Sequence, residues 1–191
     1  MCSILNIDIS SVFISENEET FFQKNFFQTN SLYLYYYSNN RLIESLIRIL
    51  ENSSNNSLEC YLFNGVNDFK NYKNCPYSYK GTCVLDQNNI FFNFHNYNNE
   101  SFDLLENISI TAKFPGTQYS SVYACILTGI TPNLEPCINK AFFSKNPISY
   151  NFEKFDKLLQ FDENELDYIR NNKGRFVLRT PDINKYYFTY R

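Results

Sequence analysis

Apolar residues recur along this chain in short runs, with a spacing closer to two than to 3.6. Ile7, Ile9, Val12 and Ile14, the Phe21-Phe22 and Phe26-Phe27 pairs and the cluster at residues 32–37 make the first forty residues read as strands. Residues 41–51 depart from this. There Leu42, Ile43, Leu46, Ile47 and Leu50 fall on one helical stripe, Glu44 and Arg48 face away, and Asn40 stands ready as a cap, so a helix is predicted. A polar loop at 52–57 ends it, and 58–63 reads as a strand. Residues 64–89, rich in Gly, Asn, Asp, Lys and Pro, predict a long irregular connection or insertion. Strands resume at 90–97, 108–114 and 122–128. A second helix runs from Asp162 to Asn171, with Glu165 as capping-box partner and Gly174 just past its end. Residues 175–180 and 184–191, joined across Pro181-Asp182, predict a terminal hairpin. The pattern therefore predicts one mainly β domain over 1–191, an antiparallel, two-sheet, sandwich-like fold with two short helices.

Composition says what would fill that fold. A chain of 191 residues can bury roughly 70% of its unfolded surface. With 19 Phe and 16 Tyr but only Ala112, Ala124 and Ala141 as alanines, the core must be aromatic. The 28 Asn reflect an AT-rich coding bias, which devalues motifs containing Asn. The N-x-Ser matches at Asn52, Asn55, Asn99 and Asn107 are of the kind such bias produces by chance. They and the even count of six cysteines are the only support for a secreted, disulfide-linked glycoprotein. Met1-Cys2-Ser3-Ile4-Leu5-Asn6-Ile7-Asp8 has no cationic start and is interrupted by Asp8, unlike a signal peptide. No run approaches the ~18 apolar residues of a membrane span. A cytoplasmic protein with reduced thiols and no membrane partner is expected.

The chemistry-bearing residues point to binding rather than catalysis. His95 is the only histidine and sits in the strand-like Phe91-Phe92-Asn93-Phe94-His95-Asn96-Tyr97, where it reads as structural or surface. No nucleophile elbow or phosphate loop accompanies it, so neither catalytic residues nor a small-molecule substrate are expected. A zinc site would call for paired C-x-x-C knuckles, and there are none. Cys60, Cys75 and Cys83, with His95 as fourth ligand, form the alternative metal set, while Cys125 reads as a buried thiol. Charge is uneven. Residues 170–191 hold six cations against Asp182, a balance of +5, so the other 169 residues carry −8 of the net −3. Arg170, Lys173, Arg175, Arg179, Lys185 and Arg191, interleaved with Tyr186 and Tyr187, suit a polyanion: cations on phosphates, rings on bases.

A strand, Val122-Tyr123-Ala124-Cys125-Ile126-Leu127-Thr128, runs into Gly129-Ile130-Thr131-Pro132, then Glu135-Pro136 and Ala141-Phe142. Tyr150-Asn151-Phe152, Phe161-Asp162-Glu163-Asn164-Glu165 and Arg175-Phe176-Val177-Leu178 follow. In these short motifs and their order, roughly the last seventy residues resemble the eukaryotic CXXC-motif-containing zinc-binding proteins. The knuckles that define that family are missing: Tyr33 to Tyr37 leads into Ser38-Asn39-Asn40-Arg41, and Cys60-Tyr61-Leu62-Phe63 keeps one Cys. The resemblance thus implies a member that has lost its zinc and carries no cofactor. With the AT bias, it is similar to the microsporidian dormancy-factor branch. That branch implies a monomer bound to rRNA and ribosomal proteins of both subunits, occupying the exit-tRNA region and inhibiting translation sterically, with the eight basic-end residues as the contact. A zinc-handling protein of the wider family is the alternative.

Overall fold

The computed structural model describes residues 30–50, 57–86, 89–96, 106–113, 122–130 and 135–171. Eight strands occupy most of them: β1 (Ser31–Ser38), β2 (Arg41–Leu50), β3 (Ser57–Asn64), β4 (Tyr77–Asp86), β5 (Asn89–Asn96), β6 (Asn107–Lys113), β7 (Val122–Ile130) and β8 (Pro136–Ser144). Each pairs antiparallel with its neighbour in sequence. β8 then returns to β1, pairing Tyr33 with Ser144 through Tyr36 with Ala141. The result is a closed barrel, not the expected two-sheet sandwich. Both architectures present the same alternation of apolar and polar positions, and only the β1–β8 register, between residues far apart in sequence, separates them. Closure satisfies both edge strands, which a sandwich would leave open.

Two expectations about elements are corrected. Residues 41–50 form β2 instead of a helix. Asn39 (φ 50°) and Asn40 (φ 59°) both adopt the left-handed conformation, which Asn tolerates, and so make a tight hairpin between β1 and β2 in place of a helix cap. The β-branched Ile43, Ile47 and Ile49 suit the strand. Residues 64–89 are not one irregular insertion. Among the described residues of this range, only the stretch between β3 and β4 is irregular, with a 3-10 segment at Phe69–Asn74 whose first turn Asp68 caps by accepting from the Lys70 N–H. The other described residues belong to β4 and the start of β5. The strand expectations at 32–37, 58–63, 90–97, 108–114 and 122–128 correspond to β1, β3, β5, β6 and β7. Those over residues 4–27, Gly174 and the terminal hairpin lie outside the described residues.

Alternation sorts many of the side chains, most plainly on β5 and β6. Leu32 and Leu34 of β1, Ile47 and Ile49 of β2, Phe92 and Phe94 of β5, and Ile110 of β6 are buried inside the barrel. Exposed or half-exposed Arg48, Glu59, Lys80, Asn93 and Ser109 alternate with inward-facing neighbours on their strands. Apolar inside and polar over much of the wall is the reverse of a transmembrane β-barrel. Among the described residues no helix is long and apolar enough to cross a membrane.

One stretch of outer wall is apolar, and a helix covers it. In α1 (Phe152–Leu159), Phe155, Leu158 and Leu159 share a face at i, i+3 and i+4. They pack on Tyr35, Val122 and Phe142 of β1, β7 and β8. Tyr35 stacks on Phe142 at 5.1 Å and meets Phe155 edge-on at 5.4 Å. Asn151 caps α1 by accepting from the Lys154 N–H. α2 (Glu163–Asn171) starts as its capping-box sequence predicts: Asp162 Oδ1 accepts from the Glu165 N–H at 2.8 Å, and Glu165 Oε2 accepts from the Asp162 N–H at 2.9 Å. The buried Lys140 of β8 ties both helices to the wall, donating to the Gln160 carbonyl at 2.9 Å and to both Glu165 oxygens at 2.9 and 3.0 Å.

Candidate binding site at the barrel mouth

Rings pack the barrel interior from β5 toward the end where β8 finishes. Phe92 stacks on Phe94 with centroids 5.9 Å apart, Phe143 meets Phe92 edge-on at 6.0 Å, and Tyr123 stacks on Phe143 at 5.1 Å. At the other end, where β1, β3 and β7 finish and β4 and β8 begin, the same interior opens into a cavity of about 250 Å³. Tyr36, Asn64, Tyr79 and Glu106 form its polar wall, Ile43, Ile108 and Leu127 its apolar wall, and the exposed Tyr77 its rim.

The polar wall is built from residues distant in sequence. Asn64 Oδ1 accepts from the Tyr36 hydroxyl at 2.9 Å and from the fully buried Ser45 hydroxyl at 2.7 Å. Ser45 Oγ in turn accepts from the Gly65 N–H at 3.3 Å. Gly65 holds φ +73°, the left-handed region glycine favours, at the corner where β3 leaves the barrel. Across the cup, the Tyr79 hydroxyl donates to Glu106 Oε2 at 2.8 Å, and the Glu106 carbonyl accepts from the Asn96 N–H. Burial pushes the Tyr36 phenol up to about 12. Burial, and then the bond to Glu106, raise Tyr79 as well. Both phenols therefore stay protonated at neutral pH and serve as donors. The cup offers one carboxylate, neutral hydroxyls, ring surface and aliphatic walls, which equips it to hold a molecule by hydrogen bonds and apolar contact.

The residues singled out from the sequence do not meet there. Cys60 and Cys83 lie buried inside the barrel, whereas His95 projects exposed from the opposite face of β5. Cys75 ends the 3-10 segment, its thiol donating to the Tyr77 carbonyl at 3.0 Å. Burial pushes the Cys60 thiol up to about 12, with neighbouring Glu59 adding to it, and burial raises Cys83 and Cys125 too. That favours thiol over the thiolate a metal requires. Among the described residues no three His, Cys, Asp or Glu side chains gather as a metal site would need. Of the basic end only Arg170 is described. It lies exposed on α2 with Nη1 3.0 Å from Asp167 Oδ1, and Lys173, Arg175, Arg179, Lys185, Tyr186, Tyr187 and Arg191 fall outside the described residues.

The segment that carries the family resemblance lies on the β7–β8 hairpin, its turn at 131–134 outside the described residues. Gly129 there is not demanded by space, since a Cβ would sit 3.5 Å from the Asn107 carbonyl oxygen, an ordinary contact. Gly81 is different: a Cβ would fall 2.0 Å from the Asn93 carbonyl oxygen, so β4 and β5 approach this closely only because position 81 lacks one. Sequence reasoning missed the cup because its members come from seven strands. The nearest signal was the inward pair of rings at Tyr77 and Tyr79, two residues apart.

The described residues form a closed antiparallel barrel with a cup at one mouth. No family model, no curated protein and no solved structure matches this chain.

Proposed function

We propose that this protein is a non-enzymatic binding domain that holds a small ligand in the mouth of its barrel. One observation carries the reading: a single interior is packed with rings at one end and opens at the other into a cup of about 250 Å³ walled by Tyr36, Asn64, Tyr79 and Glu106. Mouths of eight-stranded barrels are natural ligand sites, because eight strands enclose a space just wide enough for side chains or one small molecule. The cup lies slightly below the usual ligand-pocket range of roughly 300–1,000 Å³, and so suits a compact ligand. This reading departs from the expectation that no small molecule would be a partner. A fragment panel read by methyl NMR tests it: fragments should shift the Ile43 and Ile108 methyls while leaving Ile90, at the packed end, unmoved. A panel that moves none of the cup methyls overturns it.

A second reading rests on charge. The +5 of residues 170–191 against −8 elsewhere favours one localised contact with a polyanion. Together with the family resemblance, it supports a cytoplasmic dormancy factor whose basic end lies on rRNA phosphates in the exit-tRNA region and blocks translation by occupancy. The protein should then sediment with ribosomes at low salt and be released at high salt. Its absence from the ribosome fraction at low salt sinks this reading.

A further inference from the structure

The cup's lining selects among ligand chemistries. Glu106 is its one carboxylate, and among the described residues no lysine, arginine or histidine lines it. Cations on the flanking strands are directed elsewhere. Lys80 pairs with Glu59 at 3.3 Å on the outer wall, and Lys140 is held by Glu165 under the helices. A bound anion would face Glu106 with no compensating charge. A wholly apolar ligand would strip water from the carboxylate and the phenols without replacing its hydrogen bonds. A cation meets neither penalty. Glu106 accepts one hydrogen bond from Tyr79, and a carboxylate has room for about four. The rings of Tyr36, Tyr77 and Tyr79 surround the same space, and ring faces attract cations. Ile43, Ile108, Leu127 and Ile130 supply aliphatic wall for a stem.

We propose, resting on the reading of the cup as a ligand site, that its ligand is an organic cation: an ammonium or methylated ammonium head on a short apolar stem. Glu106 neutralises the head, the tyrosine rings enclose it, and the isoleucines and Leu127 take the stem.

The test uses the full chain, labelled at isoleucine methyls, with three probes of nearly equal shape: choline, its neutral isostere 3,3-dimethylbutan-1-ol, and the anion 3,3-dimethylbutyrate. Choline should shift the Ile43, Ile108 and Ile130 methyls saturably and bind about tenfold or more tighter than the isostere, with the anion weakest. Glu106→Gln should cut choline affinity about tenfold and so remove its advantage over the isostere, while the Ile90 methyl, away from the cup, keeps its unliganded position. Tyr79→Phe, which keeps the ring and removes the hydroxyl, should cost less than Glu106→Gln. If the isostere or the anion binds as well as choline, the cation assignment is overturned while the cup remains a ligand site. If none of the three moves a cup methyl at millimolar concentration, both readings fall.

Discussion

Toward one end of the barrel Phe92, Phe143 and Tyr123 pack ring on ring, while at the other Tyr36, Asn64, Tyr79 and Glu106 stand around open space. The two ends share strands and alternation, and differ in how the inward side chains meet: rings in mutual contact at the first, hydrogen-bonded polar groups beside aliphatic walls at the second. Burial at the first end supplies stability. At the second it is incomplete, and the polar groups there are held in place by one another. The division resembles that of many binding proteins, in which the functional end is the one left less than fully packed.

Substitutions should separate the two ends. Phe92→Ala removes a fully buried ring from the packed end and is expected to cost about 3–5 kcal/mol in urea unfolding. Cup binding in the folded fraction should survive; its loss would show the two ends are not independent. Gly81→Ala lies between them, and forcing a Cβ against the Asn93 carbonyl should cost about 1–3 kcal/mol. A neutral result would mean β4 and β5 can part without harm.

Alkaline pH probes both ends together. A buried phenol with a raised pKa gives its full stabilisation below its unfolded value of 10, and that is lost as pH climbs through its folded value. Tyr36 at the mouth and Tyr123 at the packed end, both near 12, should each steepen the fall between pH 10 and 12 by up to about 1.4 kcal/mol per pH unit. The Cys60 thiol, pushed from 9 to about 12, starts the fall earlier. Tyr36→Phe should remove one share of the slope and leave the Tyr123 share; an unchanged slope would show that Tyr36 ionises freely at the mouth. The smallest effect is expected from Ser45→Ala. It leaves Asn64 still bonded to Tyr36 but takes the acceptor from the Gly65 N–H, at about 1 kcal/mol. Its informative readout is the cup, where the Ile43 methyl should broaden as Asn64 loosens.

The strands β1, β3, β5, β6 and β7 and the capping box of α2 were legible in sequence, because alternation and capping are local signals. β2 was not. Leu42, Ile43, Leu46, Ile47 and Leu50 satisfy a helical stripe, and the alternation that betrays a strand is blurred because outward Leu42 and Leu46 are also covered, Leu42 beneath the α1 cluster. α1 escaped notice because its apolar face, from Phe155 to Leu159, spans little more than one turn. The cup could not be read at all. Tyr36 and Asn64 lie 28 residues apart and Tyr79 and Glu106 lie 27 apart, and only closing the barrel brings the two pairs around one space. Residue type marks out His95 and the cysteines, but strand parity sends His95 outward and Cys60 and Cys83 inward.

Barrel closure also dictates the order in which the fold can be completed. Tyr33 to Tyr36 of β1 find their second partner only in Ala141 to Ser144 of β8, more than a hundred residues later. A chain emerging during synthesis carries up to seven paired strands with both lateral edges bare until the eighth arrives, a long-range step of the kind that slows folding. In that interval Leu34 and Phe92 have no finished enclosure, and any other strand with matching alternation is a competitor for the edge of β1. The four residue pairs between β1 and β8 therefore act as a latch on the barrel wall: until they form, the molecule is exposed to pairing with its own kind.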